Sequence, residues 1–349
     1  MKSTGRTKAN GGAIRAALVI CAIVLVTASL YLASAVFAPL AFALFILAIV
    51  WPLQEALEKR LPKGLALFVT LSITIVAVLI FASLIAWSLS AIGEWLLSNV
   101  ERFQAVYVQA TKWLEERGIF VAGVLAERFD VAWLLRLFQD IATRLNRFAG
   151  FTILVFVFLM MALLEVGQFR QKLVAMDQPN LVLAVSEIAA KFRRYMLVRT
   201  QLSLLTGFAI WVFALIAGLE PAAAWGLLGF ALNYIPFIGP FVATLLPALF
   251  AIAQLDTWQA IILVFAGLAA IQFIIGNYLE PLAAGAALSI SPLAVIFAVF
   301  FGALLWGMPG ALIGVPVMIA IIAICAQFPS SRWAATLLSG SPSNGKSRS

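Results

Sequence analysis

Apolar residues fill this chain in long blocks separated by short polar intervals. A transmembrane helix needs roughly 20 consecutive apolar residues. The blocks at 14–36, 65–90, 148–164, 200–218 and 258–278 suit single helices of that kind. Block 38–52, parted from the first by Pro39, is short, nearer a half-span or a tilted helix. Blocks 222–253 and 291–325 are too long. As straight helices they would measure ~48 Å and ~52 Å at 1.5 Å per residue, against a hydrocarbon core about 30 Å thick. Each is interrupted near its middle: the first by Asn233, Pro236, Gly239 and Pro240, the second by Gly307, Pro309 and Gly310, then Gly314 and Pro316. An interior proline removes one helical hydrogen bond and clashes one turn back, at about 3 kcal/mol. In lipid the freed carbonyls cannot turn to water, so broken backbone at depth must be buried in protein or line a wet cavity. The predicted fold is all-α: a polytopic membrane helix bundle of about eight spans with two Pro/Gly-broken long segments. Kinked spans and re-entrant hairpins both satisfy the pattern.

The polar intervals add a second tier. In 91–147, Val100, Phe103, Tyr107, Ala110 and Leu114 recur at helical spacing, as do Leu134, Leu137, Phe138, Ile141, Leu145 and Phe148, with Gly118 and Gly123 between the two runs. This predicts an amphipathic extramembrane helical region that packs on the rest of the protein or lies in the interface. Interval 167–199 holds Arg170, Lys172, Lys191, Arg193, Arg194 and Arg199 beside a stripe of Leu181, Val185, Ile188, Phe192 and Tyr195. A basic amphipathic helix beside a membrane favours the anionic cytoplasmic leaflet. The organisation expected is a three-span membrane segment over 1–90, the extramembrane region 91–147, a membrane segment over 148–329 with its basic cytoplasmic helix, and a disordered polar tail over 330–349.

Composition supports this class and removes others. Of 349 residues, 64% are hydrophobic and 11% charged, whereas soluble domains run near half apolar and a quarter charged. The net charge of +8 is scattered over the intervals between spans, as membrane orientation needs, so nucleic acid is not an expected partner. Lys2, Arg6, Lys8 and Arg15 place the N-terminus inside; Lys59, Arg60 and Lys63, then the basic 167–199 interval, agree, while 91–147 balances seven basic residues with seven acidic ones. The first apolar run is longer than a signal-peptide core and reads as an uncleaved span. There is no histidine, which removes imidazole metal sites and His relays; no metal and no cofactor is expected. Cys21 and Cys325 lie in apolar runs and predict no disulfide.

Candidate chemistry is sparse. Broken helices are one way that transporters expose backbone groups to solutes and ions, and Asn233 adds an amide at such a break. Asn277 and Glu280, three apart, fall on one side of a helix. Ionisable groups at membrane depth are costly and tend to be functional, which makes Glu280, Glu220 and Asp256 ion-coupling candidates, although each sits near a predicted span end. The competing reading of both breaks is a kink that shapes the bundle, with "GALIG" (310–314) as a small-residue helix contact.

"GLLGFALNYIPFIGPFVATLLPAL" (226–249) and "GNYLEPLAAGAALSISPLAVIFAVFFGALLWGMPGALIGVPV" (276–317) resemble the AI-2E (autoinducer-2 exporter) transporter family, through the I-P-x-x-G-P break, the N-x-x-E-P element, the S-P start of the last span and the G-x-x-G-x-x-x-x-P close. "RTQ" at 199–201 resembles the family's R-x-Q. The resemblance implies a bacterial multi-pass inner-membrane transporter, with export of a small polar signal in some members and sodium/proton antiport in others. The expected transport site gathers Asn233, Pro236, Gly239, Pro240, Gly307, Pro309 and Gly310 from the two breaks, and Asn277, Glu280 and Pro281 from the N-x-x-E-P element. Where members commonly carry a basic residue after the E-P pair, this chain has Leu282 and Ala283. Glu280 is therefore expected to be unpaired or to face water, and cargo identity is not carried across.

The leading expectation is a secondary transporter exporting a small polar solute through the lipid bilayer. The string "GSPSNGKS" at 340–347 matches G-x-x-x-x-G-K-[ST] in letters only, because it lies in the polar tail with no strand pattern before it, so no ATPase motor is expected. The alternatives are a Na⁺/H⁺ antiporter and a structural membrane protein that organises partners through 91–147 and 167–199. No catalytic constellation points to an enzyme. Faces of small residues leave assembly into a homo-oligomer open.

Overall fold

The computed structural model describes residues 4–117, 131–175, 179–284 and 290–340. The elements run α1 Thr4–Leu32, α2 Ser34–Glu58, α3 Lys63–Ser98, α4 Val100–Glu115, α5 Val131–Ala175, α6 Pro179–Ile216, α7 Ala222–Leu232, α8 Ile238–Gln254, α9 Trp258–Ile274, a π turn Ile275–Leu279, α10 Glu280–Ala284, α11 Pro292–Gln327 and α12 Arg332–Leu338. Among the described residues there is no strand, only an isolated bridge between Ile290 and Ser339. The polytopic helical bundle follows from the apolar blocks, because a helix is the one open-ended element that satisfies its own backbone in lipid.

Several boundaries differ from the expectation. Pro39 does not divide the first two apolar blocks; it lies inside α2, and the break falls at Ala33. Pro39 is the sixth residue of α2, past the first turn, so it leaves the Ala35 carbonyl without its helical N–H. The 148–164 block has no separate beginning: α5 is one helix of 45 residues, ~68 Å long at 1.5 Å per residue, so it projects well beyond a bilayer. Of the amphipathic stripe in 91–147, Phe103 packs against Trp95 and Phe250, with ring centroids 6.0 and 5.4 Å apart. That carries α4 back onto the bundle. The Gly118 and Gly123 punctuation and the tail beyond 340 lie outside the described residues.

The basic interval 167–199 is divided between the end of α5 and the first half of α6, and its arginines do not all face outward. Arg193 donates to the Ala48 carbonyl (3.1 Å), Arg194 to the Ala283 carbonyl (3.0 Å) and Arg199 to Glu280 (2.9 Å). Three cations expected to face lipid headgroups thus tie α6 to α2 and α10. The Arg193 contact has a local cause. Pro52 lies inside α2 and offers no N–H to the carbonyl four residues back, which is that of Ala48.

Candidate functional site

Both interrupted blocks are helical hairpins. In the first, α7 and α8 run antiparallel across the turn 233–237. Its base is closed where Glu220 N–H donates to Gln254 Oε1 and Gln254 Nε2 donates back to the Glu220 carbonyl, each at 2.7 Å. Trp225 and Phe250 face each other between the arms, centroids 4.9 Å apart. At the tip a Cβ on Gly239 would collide with the Leu232 carbonyl, so only glycine lets the returning arm start there. Pro236, Phe237 and Ile238 form a γ-turn, with Ile238 N–H donating to the Pro236 carbonyl at 2.7 Å and Phe237 at φ 63°, ψ −53°. This γ-turn hand is rare and strained.

The second hairpin is α11 folded on itself. It is too long for a single upright span, and Gly307 leaves the helix at φ 65°, ψ −142°, a region almost closed to other residues. The arms 292–306 and 308–327 then return side by side. Cβ atoms on Gly310 and Gly302 would each strike the other's carbonyl, and one on Gly314 would strike that of Ala298. The "GALIG" contact is thus a seam within one hairpin, and the close approach of small residues serves the fold-back. Pro309 lies just after the turn and Gly310 in the seam.

The hairpins enter from opposite ends of the bundle, with α6 as the ruler. The base of the first lies beside the C-terminal end of α6, which leads directly into it. The base of the second is marked by Gln327, which donates to Glu187 near the start of α6 (2.8 Å). The tips overlap: Ile235 belongs to one buried apolar cluster with Val299, Ala311 and Ile313, and Ile238 and Trp306 pack against it.

Beside the tips, α6 presents a line of polar groups. Asn233 is buried and donates to Ser203 Oγ (3.2 Å); Tyr234 and Thr200 join hydroxyls at 3.0 Å. One position earlier Arg199, its side chain 4% exposed, donates to Glu280 Oε1 at 2.9 Å, while the Glu280 side chain is 42% exposed. Of the two expectations for Glu280, the unpaired one is corrected, while its side chain does keep access to solvent. Its cation comes from 81 residues upstream, not from the position after Pro281. Because Gly207 and Gly226 bring α6 and α7 almost into backbone contact, Asn233 reaches Ser203 directly. The burial of Pro236 and Gly239 and the partial burial of Pro240 place them in the packed tip.

Not every predicted residue joins this line. Asn277 is exposed and folds its amide back onto the Phe273 carbonyl (3.1 Å). The π turn explains the separation from Glu280: Glu280 N–H donates to the Ile275 carbonyl, five residues back, and the wider turn shifts the helical phase. Pro281 contributes by lacking the N–H that would serve the Asn277 carbonyl. Glu220 and Asp256 are exposed in the connections flanking the first hairpin, away from Arg199. The groups that sequence reasoning passed over are Arg199 as a partner, Tyr195, Thr200 and Ser203. A charged residue followed by 20 uncharged positions was the available signal for Arg199. The two apolar cavities described, one along α3 beside Ile80 and Trp87 and one beside Leu249 and Trp258, do not reach the polar line.

A family model described as AI-2E family transporter matches residues 20–330. The chain belongs to the AI-2E transporter family. It is similar to the AI-2 transport protein TqsA of Escherichia coli (strain K12), at 27% identity over 91% of this chain and 93% of that one. It is also similar to a Haemophilus influenzae protein, at 26% over 93% and 96%, and to YhhT of Escherichia coli, at 26% over 86% of both chains. The last two carry provisional transport-protein names that specify no cargo. With its apolar helices, this family member is a multi-pass bacterial membrane transport protein in contact with the lipid bilayer.

Proposed function

We propose that the protein is a secondary transporter that exports a small polar solute across the inner membrane, with its N-terminus on the cytoplasmic side. The observation that carries the reading is the meeting of two opposed hairpin tips beside the hydrogen-bonding edge of α6. Each tip has left the helix, so its peptide groups are free to exchange partners with a solute. The tips are packed together, and passage requires them to part. A signal of the autoinducer-2 kind, the cargo in the relative's name, fits the size class. The antiport alternative gains no support from the acids: Glu280 is held by Arg199, and Glu220 and Asp256 lie outside the polar line.

The test compares exported metabolites of cells carrying the wild-type gene, no gene, and the double variant Asn233→Leu with Pro236→Ala. The solute that accumulates inside the deletion strain should be cleared by wild type and retained by the variant at equal membrane abundance. Clearance by the variant at the wild-type rate would remove the tip from the mechanism.

A further inference from the structure

The Arg199–Glu280 pair is asymmetric. Arg199 is enclosed by protein, and its Nε–H has no acceptor although the atom is buried. Its neighbour one turn earlier, Tyr195, also has a buried hydroxyl without a partner, and it lies within the field of both charges of the pair. Its ring packs against the cluster that holds the hairpin tips. Glu280, by contrast, is nearly half open and touches Arg199 through a single nitrogen and a single oxygen. A guanidinium offers five N–H donors in a planar fork suited to two oxygens at once. Here two donor groups on residues one helical turn apart, a guanidinium N–H and a phenol O–H, are kept from water with nothing to bond. Such groups are costly to leave unpaired, and their pairing demand is for an acceptor, best a negatively charged one.

Resting on the transport reading above, we infer that Arg199 and Tyr195 recognise an anionic group on the solute, a carboxylate or a phosphate, and that Glu280 is an internal stand-in which this group displaces. The π turn fits the role: it sets Glu280 at the start of a short helix, α10, where its carboxylate meets Arg199 from the open side. The solute's oxygens would accept from Arg199 and from Tyr195 together, which Glu280 does not. A cargo carrying only hydroxyl groups would lack the charge needed to replace a carboxylate. Arg199 never loses its own charge, so recognition does not depend on its titration.

An internal competitor makes an unusual prediction: removing it strengthens binding. If the pair is closed about nine-tenths of the time, the apparent affinity for an outside anion is reduced about tenfold. The full chain is placed in phosphatidylcholine nanodiscs at fixed chloride ionic strength. Thermal unfolding is followed by tryptophan fluorescence while inorganic phosphate or acetate is titrated, with ribose and glycerol as neutral controls. Phosphate or acetate should raise the melting temperature and the neutral compounds should not. Glu280→Gln should lower the half-saturating anion concentration about tenfold. Tyr195→Phe should raise it several-fold without changing melting in the absence of anion, since the hydroxyl has no partner to lose. Arg199→Gln combined with Glu280→Gln should abolish the response. If Glu280→Gln fails to fold, Tyr195→Phe and the charge-free double variant still decide. The inference is overturned if Glu280→Gln binds no tighter, if the double variant still responds, if ribose stabilises as well as phosphate, or if the shift appears only with phosphatidylglycerol discs and never with free anion. Should it fail while Asn233→Leu with Pro236→Ala still blocks export, the anion assignment falls alone and transport stands.

Discussion

Adding one methyl group at Gly310 tests whether the second interrupted block is a hairpin. A Cβ there meets the backbone carbonyl of Gly302, and the Trp306 Cβ lies 3.1 Å away. Carbonyls of a helix cannot rotate aside, so the arms must separate along a seam that also holds Ala298 and Gly314. Overpacking of a tight core costs about 1–3 kcal/mol, and a rigid backbone obstacle belongs at the top of that range. Alanine also favours helix over glycine by about 1 kcal/mol, which leaves a net loss of about 2 kcal/mol. Gly167→Ala is the matched control: it lies in α5 with nothing within 4 Å of the added carbon. There only the helix-propensity gain applies. In detergent, melting read by fluorescence-detected gel filtration should fall by several degrees for Gly310→Ala and hold or rise for Gly167→Ala. A straight or merely kinked helix puts Gly302 and Gly310 about 12 Å apart at 1.5 Å per residue, and the added methyl then costs nothing. Equal melting of the two variants would refute the hairpin.

Two other substitutions probe the backbone accounts. Pro52→Ala restores the N–H that the Ala48 carbonyl lacks, so Arg193→Met should destabilise the wild type by about 1–2 kcal/mol more than it destabilises the Pro52→Ala background; additive melting shifts in the double-mutant cycle would separate Arg193 from the proline. Phe237→Gly removes strain of order 1–3 kcal/mol at a positive φ, against the greater flexibility glycine gives the unfolded chain; thermal melting of the purified protein should not fall, whereas Phe237→Val, stiffer at the same angle, should melt earlier.

Much of this architecture was legible because it follows from local rules. Blocks 222–253 and 291–325 exceed a bilayer's thickness, and their prolines and glycines mark where each turns. What periodicity could not distinguish was a kink from a complete reversal. That decision rests on Gly302 facing Gly310 and on Trp225 facing Phe250, which are contacts between arms, not properties of either arm. The charge pairing was hidden for a different reason. Arg199 and Glu280 are 81 residues apart, and the phase that aims Glu280 at α6 is set by a π turn that helical spacing does not contain. The same turn separated Asn277 from Glu280, although i,i+3 spacing put them together. Arg193 was visible only as one charge in a basic interval, because its partner is a carbonyl made available by Pro52 on another helix.

The ways the two hairpins are held differ, and the difference indicates where movement costs least. The second is closed by backbone meeting backbone along Ala298, Gly302, Gly310 and Gly314, so its arms cannot separate without losing many close contacts together. The first is fastened to α6 by the Gly207–Gly226 approach, by Asn233 on Ser203 and by Tyr234 on Thr200. Between the hairpins the described residues show apolar packing around Ile235, Val299 and Ala311 but no hydrogen bond. Parting the tips exposes that apolar surface and leaves no polar group newly unsatisfied. Parting either hairpin from within would break backbone packing, and pulling the first from α6 would strand buried Asn233 and Ser203. The interface between the tips is therefore the plane on which the bundle is expected to open, and Arg199 lies one helical turn from the Ser203 that anchors the first tip.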